Sequence, residues 1–247
     1  MSTALQLLTP DWPLPNNVRA VVTGREGGVS TGRYASLNLG MHVGDEPAAV
    51  ASNRMRLLEQ LGSGVRPVWL QQVHGRRVVT LTSRTDTVEA DAAVSFESGL
   101  ACTIMVADCL PVLFATRDGR AVGAAHAGWR GLAAGVIEAT VDAMRADPSQ
   151  LLAWLGPCIS VAHFEVGEEV RAAFVGRDAA AATAFVRNAR GRWQCDLASL
   201  ARQRLAGLGI LSTGDAGLCN YSLAARFYSH RREQPTGRFA ALIWRTD

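Results

Sequence analysis

The chain of 247 residues contains no lysine, so all 25 of its basic residues are arginine. Covalent chemistry through a lysine Schiff base is therefore excluded. The arginines form no block of five or six and leave a formal charge of only +3. That small excess suits an anionic small molecule and does not predict a nucleic-acid surface. Cysteine is scarce: five residues at irregular spacing, an odd count that fits no disulfide framework and points to thiols kept reduced. The amino-terminal ten residues lack the basic start and apolar stretch of a secretory signal. The longest apolar run, around residues 100–115, is broken by Asp108 and Pro111 and is too interrupted to span a bilayer. These absences predict a cytoplasmic protein without membrane or nucleic-acid partners, and no protein partner is indicated. No Pro/Ser-rich linker divides the chain, so residues 1–247 read as one domain with room for a substantial core.

Alternating apolar segments near 18–22, 65–70, 77–81, 91–96, 100–106, 111–115, 121–125, 151–155 and 239–244 predict strands. Helical spacing of apolar residues appears around 48–61, 132–144, 166–174 and 197–208. Strands cluster in runs instead of alternating strictly with helices, which favours a mixed α+β architecture over a doubly wound parallel sheet. The alanine-rich stretch 179–184 reads as helical or as a tolerant surface excursion. The Gly-rich segment from Thr23 to Gly32 has neither the G-x-G-x-x-G spacing nor a Gly-Lys-Ser/Thr end, so it is no phosphate-binding fingerprint. It reads either as a wide loop with several positive-φ glycines or as a loop that covers a substrate.

Chemistry concentrates in His126-Ala-Gly-Trp-Arg-Gly131, which follows an apolar, strand-like run. Two earlier segments end in the same way: Gln72-Val73-His74-Gly75 after Pro67 to Leu70, and Ala107-Asp108-Cys109-Leu110-Pro111 after Cys102 to Val106. Each presents one soft or borderline ligand at a strand end. The wide spacing of His74, Cys109 and His126 is wrong for a zinc finger but suits a catalytic zinc with three protein ligands and an open fourth position. The alternative uses are a Cys109 nucleophile with His74 or His126 as base, or a core thiol with two surface imidazoles. Asp108, next to Cys109, is a candidate to orient an imidazole or bind substrate, or else caps a turn. Arg54 and Asn38 read either as an oxyanion clamp or as a solvated helix face and a turn residue. Pro157-Cys158 and His163-x-Glu165 run in the wrong order for a zinc deaminase signature, whose second cysteine is also missing. Cys158 and His163 are accordingly expected to be structural. The arginines of the 229–238 tail carry the same ambiguity as Arg54, because arginines before a terminal strand often solvate an edge.

Taken in order, Gly27-Gly28-Val29-Ser30, Ser36-Leu37-Asn38-Leu39-Gly40, Gly44-Asp45, Asn53-Arg54, the His74, Cys109 and His126 strings, Asp91-Ala92, Gly156-Pro157 and Thr236-Gly237-Arg238 make the sequence resemble the YfiH-like family. That family was long labelled multicopper polyphenol oxidoreductases or laccases and is now viewed as zinc-dependent purine nucleoside phosphorylases. The resemblance runs through nearly the whole chain, with His230 standing where the family's tail often has tyrosine. It implies packed mixed sheets flanked by helices, in four α/β/β/α layers, and His74, Cys109 and His126 as zinc ligands. It also implies phosphorolysis of adenosine, inosine and S-methyl-5'-thioadenosine, with some adenosine deamination. On this reading Cys109, Asp108 and Arg54 are catalytic, Asn38, Arg54, Gln72 and Arg130 contact the nucleoside and phosphate, and copper is an adventitious rival to zinc by intrinsic affinity. A polyphenol oxidase fares worse, because a trinuclear copper centre and a separate blue copper need many imidazoles and the chain has five histidines. An editing hydrolase of peptidoglycan precursors is the alternative enzyme class, and a zinc-stabilised interaction protein the non-enzymatic one.

Overall fold

Apolar runs bounded by glycine, proline or polar residues become the strands of a computed structural model that describes residues 5–246. The first four residues of the amino-terminal stretch considered above therefore lie outside the described residues. In chain order the strands are β1 (Leu7–Leu8), β2 (Val18–Thr23), β3 (Arg66–Gln71), β4 (Val78–Leu81), β5 (Val88–Glu89), β6 (Ala92–Ser95), β7 (Leu100–Val106), β8 (Leu110–Thr116), β9 (Val122–Ala127), β10 (Leu151–Leu155), β11 (Glu165–Val166), β12 (Phe185–Arg187), β13 (Trp193–Cys195), β14 (Thr213–Asp215) and β15 (Phe239–Arg245). The α-helices are α1 (Pro47–Leu61), α2 (Trp129–Ala134), α3 (Val136–Ala143), α4 (Glu168–Val175) and α5 (Leu197–Gly207).

Two six-stranded sheets run in the orders β1-β2-β15-β7-β3-β5 and β14-β10-β8-β9-β6-β4, and β11-β13-β12 form a small third sheet. Both large sheets are mixed, with parallel pairs β3·β7 and β3·β5 in one and β4·β6 and β10·β14 in the other. Val22, Ile104, Phe239 and Ile243 of the first sheet meet Leu113, Val122, Leu152 and Trp154 of the second in one core. The outer face of the second sheet is covered by Leu132, Val136, Ile137, Leu200 and Leu205 of α2, α3 and α5. Leu57 of α1 packs with Leu37, Leu39, Met105, Leu242 and Trp244 on the outer face of the first. The result is the expected α/β/β/α layering. Strands covered on both faces have no polar face to alternate with, which is why β7, β8 and β10 read as nearly unbroken apolar runs.

The helix expected over 132–144 starts earlier, at Trp129, and is split by Gly135 at φ 96°. Residues 179–184 form a 3-10 helix whose start is capped by the Asp178 carboxylate accepting from the Ala180 N–H at 2.9 Å. The Gly-rich segment is a structural loop pressed onto α1. A Cβ on Gly28 would lie 2.1 Å from the Ser36 carbonyl, and buried Asn53 ties the loop down by accepting from Val29 N–H at 2.8 Å and donating to Ser30 Oγ and Asn38 O at 2.9 Å. No helix among the described residues is long and apolar enough to cross a membrane.

Candidate metal centre and cleft

Three strand ends converge where the two sheets meet. His74 follows β3 of the first sheet, Cys109 lies on the crossover from β7 to β8, and His126 sits near the end of β9 in the second sheet. Their ligand atoms all lie within 4.8 Å of one another, a cluster that can hold a metal ion. The two imidazoles meet edge to face, with ring centroids 4.7 Å apart. His126 is buried, Cys109 half-buried and His74 exposed, so the group is anchored on the core side and open on the other.

The carboxylate that organises the cluster is Asp91, which is fully buried. It accepts from the consecutive backbone N–H groups of Val73 (3.2 Å), His74 (2.9 Å) and Gly75 (2.6 Å), and pairs with His126 Nδ1 at 2.8 Å. Burial works to raise the Asp91 pKa, but the hydrogen bonds from His126 and the Gly75 and Val73 N–H groups outweigh it and hold the pKa low. An ionised Asp91 can only accept, so His126 Nδ1 carries the donated proton, and Nε2 is the nitrogen that hydrogen-bonds Cys109 and that a metal would take once its proton is lost. The same bonds hold His74 at φ 61°, a left-handed conformation that histidine adopts only when its surroundings impose it.

Burial also acts to raise the Cys109 pKa and lower that of His126. Their mutual attraction, with hydrogen bonds from both imidazoles to the sulfur, reverses this: the thiol falls to about 6 and His126, also paired with Asp91, rises to about 9. The pair therefore favours the thiolate, the form that binds metal. Extending the β8/β9 register by one residue sets Cys109 opposite Gly128. A Cβ there would come within 2.8 Å of Cys109 Sγ and 3.3 Å of His74 Cδ2, and one on Gly131 within 2.7 Å of the Gly75 carbonyl. The glycines of the 126–131 string thus let the ligand-bearing segments touch.

The cluster opens into a cleft of about 310 Å³. Gln72, Asp108, Trp129, Arg130, Ile159, Phe164, Arg231 and Arg238 line it, together with His42 and His230. Burial, then the nearby Arg238 cation, lowers the pKa of both His42 and His230. Of the residues expected from the sequence, Gln72, Asp108 and Arg130 reach this wall. Gln72 clamps the Met105 backbone, donating to its carbonyl at 2.8 Å and accepting from its N–H at 2.9 Å. Asp108 hydrogen-bonds no imidazole. Its carboxylate accepts from Asn220 Nδ2 (2.9 Å), Ser229 Oγ (2.6 Å) and the Arg231 N–H (2.6 Å), and so straps the 229–231 tail across the cleft while Asp108 itself sits at φ 94°.

Asn38 and Arg54 do not line the cleft. Asn38 ties its own loop to the cleft residue Arg238, accepting from Gly40 and Arg238 N–H groups at 2.9 and 2.8 Å and donating to Asp45 at 2.9 Å. Arg54 stands one layer behind, giving Nε and Nη2 to the Leu39 carbonyl at 3.0 and 2.8 Å and stacking on Trp69 at 4.0 Å. Burial lowers its pKa to about 10, which leaves it charged at neutral pH. Asp91 is a site residue that sequence reasoning missed, as are the wall residues His42, Trp129, Ile159 and Phe164, and Arg238 is one of the tail arginines whose role it left open. The strings of Asp91 and Arg238 were visible, but a role for Asp91 needs three consecutive N–H groups folded around it, and Arg238 arrives only because β15 returns between β2 and β7.

Over residues 19–246 the chain matches the family described as multi-copper polyphenol oxidoreductase laccase. A Pseudomonas aeruginosa protein named purine nucleoside phosphorylase is 55% identical over 241 residues, covering 97% of this chain and 98% of that one. An Escherichia coli purine nucleoside phosphorylase is 48% identical with the same coverage. Among solved structures, a Neisseria meningitidis protein superposes with a TM-score of 0.94 at 45% identity, covering 98% of this chain and 99% of that one.

Proposed function

Because the chain belongs to the multi-copper polyphenol oxidoreductase laccase family, in which relatives 55% and 48% identical to it are named purine nucleoside phosphorylases, we propose that it is a zinc-dependent enzyme that splits adenosine, inosine and S-methyl-5'-thioadenosine with phosphate. The observation that carries this reading is a cleft with a His2Cys donor set on one wall and Arg130, Arg231 and Arg238 on the rest. Two imidazoles and a thiolate suit zinc, and three ligands with an open side match the catalytic pattern. When bound, zinc supplies Lewis-acid stabilisation of negative charge.

The protein's own groups account for the remaining requirements. Arg238, with Arg130 and Arg231, binds and orients the phosphate by charge-assisted hydrogen bonds, and Arg54 adds its charge from behind the wall. Phosphate attacks C1′ of the ribose, the C1′–N9 bond breaks, and its electron pair leaves on the purine, which takes up a proton. Trp129, Ile159 and Phe164 give the flat base and sugar an apolar wall that excludes water. Asp108 acts by holding the tail and its arginine in place. Adenosine deamination at the same site is a side reaction, and residues 1–247 act as one cytoplasmic domain.

A blue-copper and trinuclear-copper oxidase is not supported. Among the described residues His74, Cys109 and His126 form one metal-competent group, and too few histidines remain to build a second centre. Incubation of the zinc-loaded protein with adenosine should yield adenine and ribose 1-phosphate only when phosphate is present, while any inosine forms without it. Arg238→Ala should lower the phosphate dependence of kcat/KM by about 10- to 100-fold, the loss of one hydrogen-bonded ionic contact. Failure to release base from all three nucleosides, with cleavage of a peptidoglycan precursor instead, overturns the reading.

A further inference from the structure

A second group of nucleophilic and titratable side chains lies at the far end of the Asp108 network. Cys158 and Cys219 face each other across an isolated parallel bridge: Cys158 N–H donates to the Leu218 carbonyl at 3.3 Å, and Asn220 N–H to the Cys158 carbonyl at 3.1 Å. Residues paired across adjacent strands sit about 4.8 Å apart, inside the Cα separation of roughly 4.4–6.8 Å that a disulfide spans. The Cys219 sulfur also accepts from the Ser160 N–H at 3.3 Å, which draws it toward the segment that carries Cys158. Ser222 completes the surroundings: its hydroxyl contacts His163 Nε2 at 3.0 Å, and the His163 ring stacks on Tyr221 at 4.2 Å.

Cys158, Cys102 and Cys195 are all buried, and burial pushes their pKa values up, so none of them is the first nucleophile; of the three, Cys158 is the one paired with another cysteine. Cys109 belongs to the metal centre. Cys219 is only partly buried; burial acts to raise its pKa, but hydrogen bonds from Ser160 and Ser222 outweigh it and hold the thiol below its ordinary value.

We propose that Cys219 is a peroxide-reactive thiol and that Cys158 resolves it to a disulfide. The Cys219 thiolate attacks one oxygen of hydrogen peroxide, forming an S–O bond as the O–O bond breaks. The departing hydroxide takes a proton and leaves as water, and Cys219 becomes a sulfenic acid. The Cys158 sulfur then attacks the Cys219 sulfur, the S–S bond forms, the S–O bond breaks, and the hydroxide leaves as a second water with the Cys158 proton. Two thiols lose two electrons and one peroxide is reduced. The hydroxyl of Ser222 is placed to relay the first thiol proton to His163 Nε2, which returns it to the departing hydroxide. This chemistry does not depend on the reaction assigned to the cleft, although the two segments it joins carry Ile159 on the cleft wall and Asn220 against Asp108.

Metal-loaded protein treated with hydrogen peroxide, alkylated and digested without reductant should yield a peptide linking Cys158 to Cys219. The denatured thiol count should fall by two from its initial five and recover with dithiothreitol. Cys158→Ser should leave a Cys219 sulfenic acid that dimedone captures, and Cys219→Ser should abolish the linked peptide, with thermal melts confirming that both variants fold. The wild-type map needs no variant: recovery of Cys158 and Cys219 as free thiols at peroxide doses that already oxidise Cys109 overturns the proposal, as does Cys219 oxidation with no link to Cys158.

Discussion

Gly128 has no side chain because Cys109 and His74 occupy the space. Gly128→Ala places a methyl 2.8 Å from the Cys109 sulfur, and its neighbours there are the proposed ligands, which cannot yield without opening the cluster. The expected outcome is loss of bound metal by elemental analysis with unchanged far-UV circular dichroism. Asp91→Asn keeps the size but presents an amide where four N–H groups converge; outer partners of this kind change metal affinity by about 10- to 100-fold, and a chelator competition titration should show a loss in that range. That His74, Cys109 and His126 belong together was legible before the fold because each ends an apolar run at glycine or proline. Which carboxylate serves them was not: Asp108 adjoins Cys109 in sequence yet faces the tail, whereas Asp91 is remote in sequence and reaches both histidines. Arg54 and Asn38 show the converse: both stand in distinctive strings, yet each bonds to backbone behind the cleft, Arg54 to Leu39 and Asn38 to Gly40 and Arg238.

At the level of elements, long buried strands announce themselves and short ones do not. Strands such as β7, β8 and β15 carry seven residues each, enough for a pattern to stand out, whereas the two or three residues of β1, β5 and β11–β14 have no periodicity to read and exist because a neighbour supplies an edge. The helical pattern after β9 was visible, but the break between α2 and α3 depends on one backbone conformation. Gly135 caps α2 in the left-handed region, and a Cβ there would meet nothing closer than 3.5 Å. Gly135→Ala is therefore strained without being crowded. It should cost roughly 1–2 kcal/mol, a fall in Tm of about 2–8 °C for a chain of this size, with metal content unchanged; an unaltered melt would mean that the break is dispensable.

For the molecule as a whole, His74 and His126 come from different sheets and Cys109 from the crossover between them, so a bound ion clips the two layers together at one end. Zinc that binds only the folded chain should stabilise it by about 2.7 kcal/mol at a hundredfold excess over Kd. Tm should rise with free zinc and fall on chelation, and Cys109→Ser should flatten that dependence. A further consequence lies in where β15 sits. It fills the space between β2 and β7, and nearly the whole chain separates it from β2. On the ribosome, β2 emerges early and waits with an unpaired edge while almost everything else is translated, a long exposure of a sticky surface. Arg238 arrives with that same strand, so a nascent chain cannot assemble the arginine-bearing wall of its cleft until the sheet that carries it has closed.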